Sequence, residues 1–235
     1  MRLLLPTPLF SNLLLCAIVS CLVSACKNDT KEQSTSLKKK EQTVAIPADA
    51  AEQKRIVFFG NSLSAAYGLD NTQQGFVGRI AQRIDSLGLN YKVVNAGLSG
   101  ETTGGGLGRI NWILDDPVDI FVLELGGNDA LRGIDPATAK RNLQAIIDQV
   151  KTAYPDAKIL LAGMQAPQNL GNTYTDQFAA IYPALAAEND IALIPFLLEN
   201  VAAQSDLNLA DGIHPNVAGH QIVAENVWNV LENLL

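Results

Sequence analysis

Five short apolar segments, separated by stretches with helical periodicity, constrain the fold of this chain more than any other feature. Each apolar segment is too short for an ordinary helix and is typical of a buried strand. The five predicted strands are 55–59, 91–95, 120–125, 158–162 and 192–194. Buried strands that alternate with helices favour a parallel sheet with right-handed crossovers and helices on both faces. The alternation therefore predicts an α/β fold, a three-layer α/β/α sandwich around a five-stranded parallel sheet.

The stretches between the strands predict the helices, because apolar residues recur in them at helical spacing. The predicted helices cover about 76–86, 107–114, 135–154, 176–188 and 216–234. Asp135-Pro136 is a typical start of the long third helix, since Asp caps it and Pro takes its first position. We expect a kink at Pro183 in the fourth helix. The glycine-rich run 104–108 is predicted to be a flexible turn that leads into the second helix.

The charged and metal-binding residues exclude several classes of protein. The chain has a formal net charge of -7, whereas proteins that bind nucleic acid usually carry a basic face. All three cysteines lie within the first 26 residues, so the rest of the chain has no thiol for a disulfide or a metal site. His214 and His220 are the only two histidines, too few for a histidine-rich metal centre. We therefore expect no nucleic-acid partner and no metal site.

Residues 1–26 have the form of a secretory signal. Arg2 precedes an apolar run that extends to Ala25, and small residues lead into Cys26. This segment resembles a bacterial lipobox, in which the peptide is cleaved before the cysteine and the cysteine is lipidated. Cys21 is a weaker candidate for lipidation, and a plain transmembrane anchor is the alternative interpretation. The segment predicts an exported bacterial lipoprotein, anchored to a membrane through lipid on Cys26 and facing the periplasm or the cell exterior.

Residues 27–53 are predicted to be a flexible tether. The segment is rich in Lys, Glu, Gln, Ser, Thr and Ala, has no apolar period, and carries five basic and five acidic groups. Such a composition cannot bury enough apolar surface to offset the entropy of ordering the chain. No change of composition divides residues 54–235, so we expect a single domain there, and we expect the protein to be a monomer.

Polar residues follow the first three predicted strands, at the point where each strand ends. In a parallel sheet these ends meet at one edge, which is where open α/β proteins bind their ligands. Ser62 follows the first strand directly and can act as a nucleophile if a base lies beside it. Taken alone, Asn61-Ser62 is also typical of a cap for the next helix.

His214 is the histidine that has an acidic residue at a useful spacing. Asp211 lies three residues earlier, on a turn that contains Gly212, so its carboxylate can fold back onto the imidazole ring. There it would fix the tautomer of His214 and stabilise the protonated ring. The alternative is that Asp211 caps a turn and His214 caps the last helix. His220 has no such partner and is expected to be an ordinary helix residue.

Acyl transfer also requires hydrogen-bond donors for a developing oxyanion. Gly97 can offer a backbone N–H, Asn128 can offer a side-chain amide, and Ser62 can offer its own N–H. Each residue also has a plainer explanation, Gly97 as part of a tight turn and Asn128 as a cap. The hypothesis of a hydrolase therefore depends on these groups meeting at one sheet edge.

The candidate residues and their neighbours resemble the four blocks of the SGNH hydrolases, also called the GDSL family, over about residues 55–235. The blocks occur in the family's order: Gly60-Asn61-Ser62-Leu63, Gly97, Gly127-Asn128-Asp129 and Asp211-Gly212-Ile213-His214-Pro215. Three longer stretches, 61–68, 123–133 and 180–183, are similar to the bacterial thioesterase I, lysophospholipase L1 and arylesterase group.

The resemblance implies a flavodoxin-like SGNH hydrolase fold and a serine esterase that uses no metal or organic cofactor. Ser62 would be the nucleophile, His214 the base, and Asp211 the residue that orients His214. Ser62, Gly97 and Asn128 would form the oxyanion hole.

One position departs from the family pattern, because Asn61 stands where the family usually has Asp. Asn keeps the shape and the acceptor oxygen of Asp but loses its charge. We expect an effect on the turn or on the pH dependence rather than a loss of the chemistry. The Gly-x-Ser-x-Gly elbow of the α/β-hydrolases and the Walker motif do not occur in the sequence.

Two loops at the same sheet edge are expected to determine the substrate. They are 165–175, which follows the fourth strand, and 129–134, which lies beside Asn128. Because the sequence has no long apolar lid, we expect an open site for a small acyl ester, a thioester or a lysophospholipid. Two alternatives stay open: a carbohydrate acetylesterase on the same fold, and a non-catalytic surface lipoprotein that uses the fold for binding.

Overall fold

The structure of the protein, a computed structural model, describes residues 52–235. The predicted signal segment and its Cys26 lie outside the described residues, and so does the predicted tether except for Glu52 and Gln53. All of the described residues belong to one compact unit.

Five parallel strands form the sheet, and each coincides with a predicted apolar segment. The strands are β1 (Lys54–Gly60), β2 (Tyr91–Gly97), β3 (Ile120–Glu124), β4 (Lys158–Ala162) and β5 (Ala192–Ile194). Their order in the sheet is β2-β1-β3-β4-β5, and every pairing is parallel. The predicted α/β fold with a five-stranded parallel sheet is thereby confirmed.

Helices cover both faces of the sheet. They are α1 (Phe76–Ser86), α2 (Thr103–Ile113), α3 (Gly127–Leu131), α4 (Pro136–Ala153), α5 (Asn172–Ala179), α6 (Ile181–Asn189) and α7 (Val217–Leu231). One group consists of α1 and α7, which pack against each other; in the other group α4 contacts α2, α5 and α6. The core lies between these helices and the central strands, whose apolar side chains are fully buried. This burial supplies most of the stability that the sheet needs.

The register of the sheet positions the candidate residues. Gly60, the last residue of β1, pairs with Gly97 of β2 and with Glu124 of β3. The segments that follow these three strands therefore leave the sheet at the same level and at the same edge. Ser62 and Asn128 lie on two of these segments.

Helix α2 begins four residues earlier than the sequence predicts, and the glycine-rich run 104–108 lies inside it. The prediction of a flexible turn was wrong for two physical reasons. The side chain of Thr102 caps the helix by accepting a hydrogen bond from the Gly105 N–H at 3.2 Å. A Cβ atom on Gly106 would lie 2.4 Å from a methyl carbon of Leu125, so this glycine lets the helix approach the sheet closely.

The helix predicted over 176–188 is two helices, α5 and α6, which meet at Ala180. Pro183 does not kink a helix, because it lies in the first turn of α6, where its missing N–H has no acceptor to serve. Helix α7 begins one residue after its cap Asn216, whose side chain accepts hydrogen bonds from two N–H groups of the first turn. Within residues 52–235, no helix has both the length and the apolar character that crossing a bilayer requires.

Candidate active site

Ser62 lies in a tight turn directly after β1. The turn is closed by Asn61, whose side-chain oxygen accepts a hydrogen bond from the Leu63 N–H at 3.1 Å. The same oxygen lies 3.3 Å from the Ser62 hydroxyl. Asn61 thus keeps the acceptor function that the family's usual Asp would have at this position. Ser62 is 8% exposed and lines the cavity described below.

A buried carboxyl group, Glu124 at the end of β3, supports this turn from below. One of its oxygens, Oε2, accepts hydrogen bonds from the Ser64 hydroxyl at 2.7 Å, the Ser64 N–H at 3.2 Å and the Asn61 N–H at 3.1 Å. The other oxygen, Oε1, is buried without a hydrogen-bond partner. Burial raises the pKa of Glu124 to about 7, although the hydrogen bonds from Ser64 and Asn61 act in the opposite direction.

Glu124 was not among the predicted site residues. Its only signal in the sequence is that it is the single charged residue of an otherwise apolar strand. Gly60 makes the contact possible, because a Cβ atom there would lie 2.4 Å from Glu124 Oε2.

His214 lies between Ser62 and Asp211. Its Nε2 is 2.9 Å from the Ser62 Oγ, and its Nδ1 is 2.7 Å from Asp211 Oδ2. The carboxylate fixes the tautomer, because Nδ1–H donates to Asp211 and leaves Nε2 free to accept the Ser62 proton. The structure therefore brings the three predicted triad residues together in one hydrogen-bonded line.

The loop that carries Asp211 and His214 is held by its own backbone. Asp211 Oδ1 accepts hydrogen bonds from the N–H groups of His214 at 3.0 Å and Ile213 at 2.9 Å. These two N–H groups, with the His214 ring, lower the pKa of Asp211 to about 2, so the carboxylate is charged at neutral pH. Gly212 adopts a φ of 68°, a left-handed conformation that favours glycine and lets the loop fold back.

Tyr67 packs beside the histidine, with ring centroids 4.7 Å apart. It follows the nucleophile turn and was not predicted as a site residue. Its ring covers part of one face of the imidazole and so restricts the orientations of His214.

Asn128, the predicted side-chain oxyanion donor, lies at the cavity beside Ser62. It is the second residue of α3 and lines the same pocket as Ser62 and His214. Its side-chain amide donates one hydrogen bond to the Glu101 carbonyl at 3.0 Å, which leaves its second N–H free. The backbone N–H of Ser62 has no acceptor among residues 52–235.

The N–H of Gly97, a predicted oxyanion donor, is engaged by another acceptor in this structure. Its N–H donates a hydrogen bond to the side-chain oxygen of Asn95 at 3.0 Å. Its lack of a side chain has a packing reason instead, because a Cβ atom would lie 2.5 Å from the Ala65 nitrogen.

Gly100, three residues further on, has a free N–H that the sequence analysis missed. It lies in the turn after β2 with a φ of 81°, and its N–H has no acceptor in the described part of the chain. The next residue, Glu101, is the one whose carbonyl binds the Asn128 amide. Sequence reasoning could have weighed it, since Ser99-Gly100 is itself a turn signal.

A cavity of about 530 Å³ opens beside Ser62. The loop after β4 contributes Met164 and the first four residues of the predicted loop 165–175, and the predicted turn 129–134 contributes Leu131. A third wall, from the segment after β5, was not predicted. It consists of Phe196, Leu198, Ala202 and Ala203. The walls are mainly apolar, which suits a hydrocarbon chain.

His220 lies away from the site, as expected for a helix residue. It is buried on α7, and its Nδ1 accepts a hydrogen bond from the Phe76 N–H at 3.2 Å. Burial lowers the pKa of His220 to about 4. Across residues 52–235, no cluster of three or more His, Cys, Asp or Glu side chains is arranged to hold a metal ion.

The sequence pattern of the GDSL-like Lipase/Acylhydrolase family matches residues 58–222, a range that contains Ser62, Asn128, Asp211 and His214. The chain belongs to this family. The resemblance seen in the sequence is confirmed, and the chain is a serine ester hydrolase.

Two relatives are similar to this chain over most of their own length. Esterase TesA of Pseudomonas aeruginosa is 42% identical over 193 residues, which cover 82% of this chain and 94% of that protein. Thioesterase 1/protease 1/lysophospholipase L1 of Escherichia coli K12 is 36% identical over 193 residues, or 82% of this chain and 90% of that protein. A crystal structure of TesA superposes with a TM-score of 0.74 at 42% identity, covering 77% of this chain and all of that one.

Proposed function

We propose that the enzyme hydrolyses acyl esters and thioesters through a covalent acyl-enzyme on Ser62, with His214 as general base and Asp211 as the residue that orients it. The observation that carries this proposal is the continuous hydrogen-bonded line from Ser62 Oγ through the His214 ring to the Asp211 carboxylate. A serine hydroxyl is a weak nucleophile, and such a line is what activates it.

The reaction follows from the positions of the protons. His214 Nε2 takes the Ser62 hydroxyl proton as Oγ attacks the carbonyl carbon of the substrate. The protonated ring, stabilised by Asp211, then donates that proton to the leaving group, at oxygen in an ester or at sulfur in a thioester. The bond between that atom and the acyl carbon breaks in the same step. Water attacks the acyl-enzyme by the same route, and a carboxylic acid and free Ser62 result.

The negative oxygen of each tetrahedral intermediate needs donors. We propose that the Ser62 N–H, the free N–H of the Asn128 amide and the Gly100 N–H supply them, with Gly100 in place of Gly97. The backbone N–H groups of Ser62 and Gly100 have no acceptor among the described residues, whereas the Gly97 N–H has one. Donors that are fixed in place before the reaction stabilise the transition state without reorganisation.

The size and the apolar walls of the cavity favour substrates with acyl chains longer than acetyl. Its volume of about 530 Å³ falls within the range of small-molecule sites, and the walls after β4 and β5 are apolar. The relatives named as an esterase and as a thioesterase and lysophospholipase agree with this substrate class. A carbohydrate acetylesterase would not need an apolar wall of this extent to bind an acetyl group.

A substrate panel tests the proposal. The panel consists of p-nitrophenyl esters of increasing chain length, an acyl-CoA, a lysophospholipid and an acetylated sugar. We expect turnover of medium-chain esters and thioesters and little turnover of the acetylated sugar. The reverse order would favour the acetylesterase, and no turnover of any acyl substrate would favour a binding protein.

We further propose that residues 1–26 are a lipoprotein signal segment that is cleaved before Cys26, so that the retained Cys26 carries the lipid. Residues 27–53 would then tether the catalytic domain 54–235, and the enzyme would face the periplasm or the cell exterior as a monomer. Small residues before Cys26 and the polar segment after it support this. Cys26→Ser should abolish labelling with a radioactive fatty acid, and Cys21→Ser should not. Labelling that survives Cys26→Ser would contradict the assignment.

A further inference from the structure

Arg109 lies outside the reacting groups, yet its guanidinium joins three segments of the active site. It is bidentate to Glu101, with Nε to Oε1 and Nη2 to Oε2 both at 2.6 Å. Nη2 also donates to the Ala96 carbonyl at 2.8 Å and lies 3.5 Å from the Gly60 carbonyl. The guanidinium carbon is 4.2 Å from the centroid of the Phe59 ring. One planar cation therefore holds the ends of β1 and β2 and the turn between β2 and α2.

The turn held by Arg109 leads directly to the oxyanion side of the site. Glu101 binds Arg109 through its side chain, and its backbone carbonyl accepts the hydrogen bond from the Asn128 amide. Gly100 is the preceding residue. On the other side, the Gly60 carbonyl belongs to the residue just before the Asn61-Ser62 turn. A displacement of the guanidinium would therefore move Glu101, and with it the hydrogen-bonded Asn128 and the covalently linked Gly100. It would also move Gly60 and the nucleophile turn that follows it.

We propose that Arg109 is a positioning residue that fixes the oxyanion donors relative to Ser62. This inference rests on the proposed function, since it assigns a partner to the donors named there. The pair is well shielded from water, because the side chains of Arg109 and Glu101 are 15% and 3% exposed. A buried bidentate pair fixes geometry more firmly than a solvated one, which is the property that a positioning residue needs.

A second contact keeps the turn folded when Arg109 is changed. The buried carboxylate of Asp129 accepts hydrogen bonds from the Thr103 N–H at 2.8 Å and from the Thr103 hydroxyl at 2.6 Å. It therefore anchors the start of α2 independently of the guanidinium. Loss of Arg109 is expected to shift the turn rather than to unfold it.

The chain offers a matched control in Arg83. Its guanidinium lies 4.3 Å from the Trp228 ring, and its Nη1 lies 2.9 and 3.1 Å from the two carboxylate oxygens of Glu225. Arg83 thus combines ring stacking with a glutamate pair, as Arg109 does, but it joins α1 to α7. A lysine at either position keeps the charge and loses the fork and the stack.

The experiment compares Arg109→Lys with Arg83→Lys in the whole protein, with active sites counted by titration with a fluorophosphonate. For Arg109→Lys we expect kcat on a p-nitrophenyl ester to fall about 10²-fold with KM changed less than about threefold, the loss typical of a misplaced reacting group. Arg83→Lys should leave kcat unchanged. Because Asn128 is one of the groups through which Arg109 acts, the loss caused by Arg109→Lys should be smaller in an Asn128→Ala background than in the wild-type background.

Three results would overturn the inference: a kcat for Arg109→Lys within twofold of wild type, an equal loss in Arg83→Lys, or a full 10²-fold loss that persists in the Asn128→Ala background. Should Arg109→Lys not fold, Glu101→Gln applies the same test with the shape of the pair retained. Ser62→Ala separates the two proposals. If it keeps activity, the proposed function fails; if it is inactive while Arg109→Lys is normal, only the role of Arg109 fails.

Discussion

The hydroxyl of Ser64 donates a 2.7 Å hydrogen bond to Glu124 Oε2, so a buried carboxyl group lies directly beneath the nucleophile turn. Three donors converge on this one oxygen, while Oε1 has no partner. The arrangement keeps the turn rigid, but it also buries a group that titrates near neutral pH. Stability and pH are therefore linked at this point of the molecule.

Glu124→Gln should flatten the pH dependence of stability. Burial raises the pKa of Glu124 from 4.5 to about 7, so the folded state holds the proton more tightly than the unfolded state. The contribution of Glu124 to the free energy of unfolding is complete below pH 4.5 and is lost as the pH rises through 7. For a pKa shift of this size the loss is about 3 kcal/mol. Urea unfolding at pH 4.5 and at pH 8 measures this difference in the free energy of unfolding, and Glu188→Gln on the surface is the control. An unchanged slope in Glu124→Gln would contradict the assignment.

His220 should change the free energy of unfolding with pH in the opposite direction to Glu124. Its ring is buried and accepts a hydrogen bond from the Phe76 N–H, so protonation costs stability. Since its pKa falls from 6.5 to about 4 on folding, its contribution is present above pH 6.5 and is lost as the pH falls through 4. His220→Asn keeps an acceptor for Phe76 and should weaken the acid sensitivity between those values. Because Glu124 and His220 oppose each other in the wild type, each slope must be taken as a difference from its own variant.

Much of the fold followed from the sequence because the central strands β1, β3 and β4 are almost entirely buried, and continuous burial leaves a continuous apolar segment. The triad residues followed because a Ser after a strand and an Asp-Gly-x-His turn are local patterns. The remaining features depend on tertiary packing. The engagement of the Gly97 N–H by Asn95 and the free N–H of Gly100 are backbone details that composition does not encode. The glycine-rich start of α2 was misassigned because the helix propensity of glycine is low. Tertiary packing decides the outcome, since the close approach of α2 to the sheet requires a glycine at position 106.

Asp211→Asn should lower kcat about 10²- to 10⁴-fold with little change in KM. The amide can no longer accept the Nδ1–H of His214 as a charged partner, so the ring loses both its tautomer and the stabilisation of its protonated form. Steady-state kinetics with a p-nitrophenyl ester measure the change. Asp135→Asn is the matched control, because Asp135 caps α4 and lies outside the triad. Equal activity in wild type and Asp211→Asn would rule out the orienting role.

Asn61→Asp restores the residue that the family usually has and should move the acidic limb of the kcat/KM profile to higher pH. Asn61 Oδ1 lies 3.3 Å from the Ser62 hydroxyl, which is itself 2.9 Å from His214 Nε2. A negative charge there would stabilise the protonated imidazole and shift the limb by about one pH unit. The pH profile of both proteins from pH 4 to 9 tests this. A shift to lower pH would contradict the electrostatic account of Asn61.

The central claim is that Ser62 carries the acyl group, and trapping the adduct tests it most directly. A fluorophosphonate or a rapidly quenched p-nitrophenyl ester should add one acyl or phosphonyl mass to the intact protein, and peptide mapping should place it on Ser62. Ser62→Ala should gain no mass and lose turnover, whereas Ser86→Ala on the exposed end of α1 should behave as wild type. An adduct on any other residue, or turnover that survives in Ser62→Ala, would contradict the account.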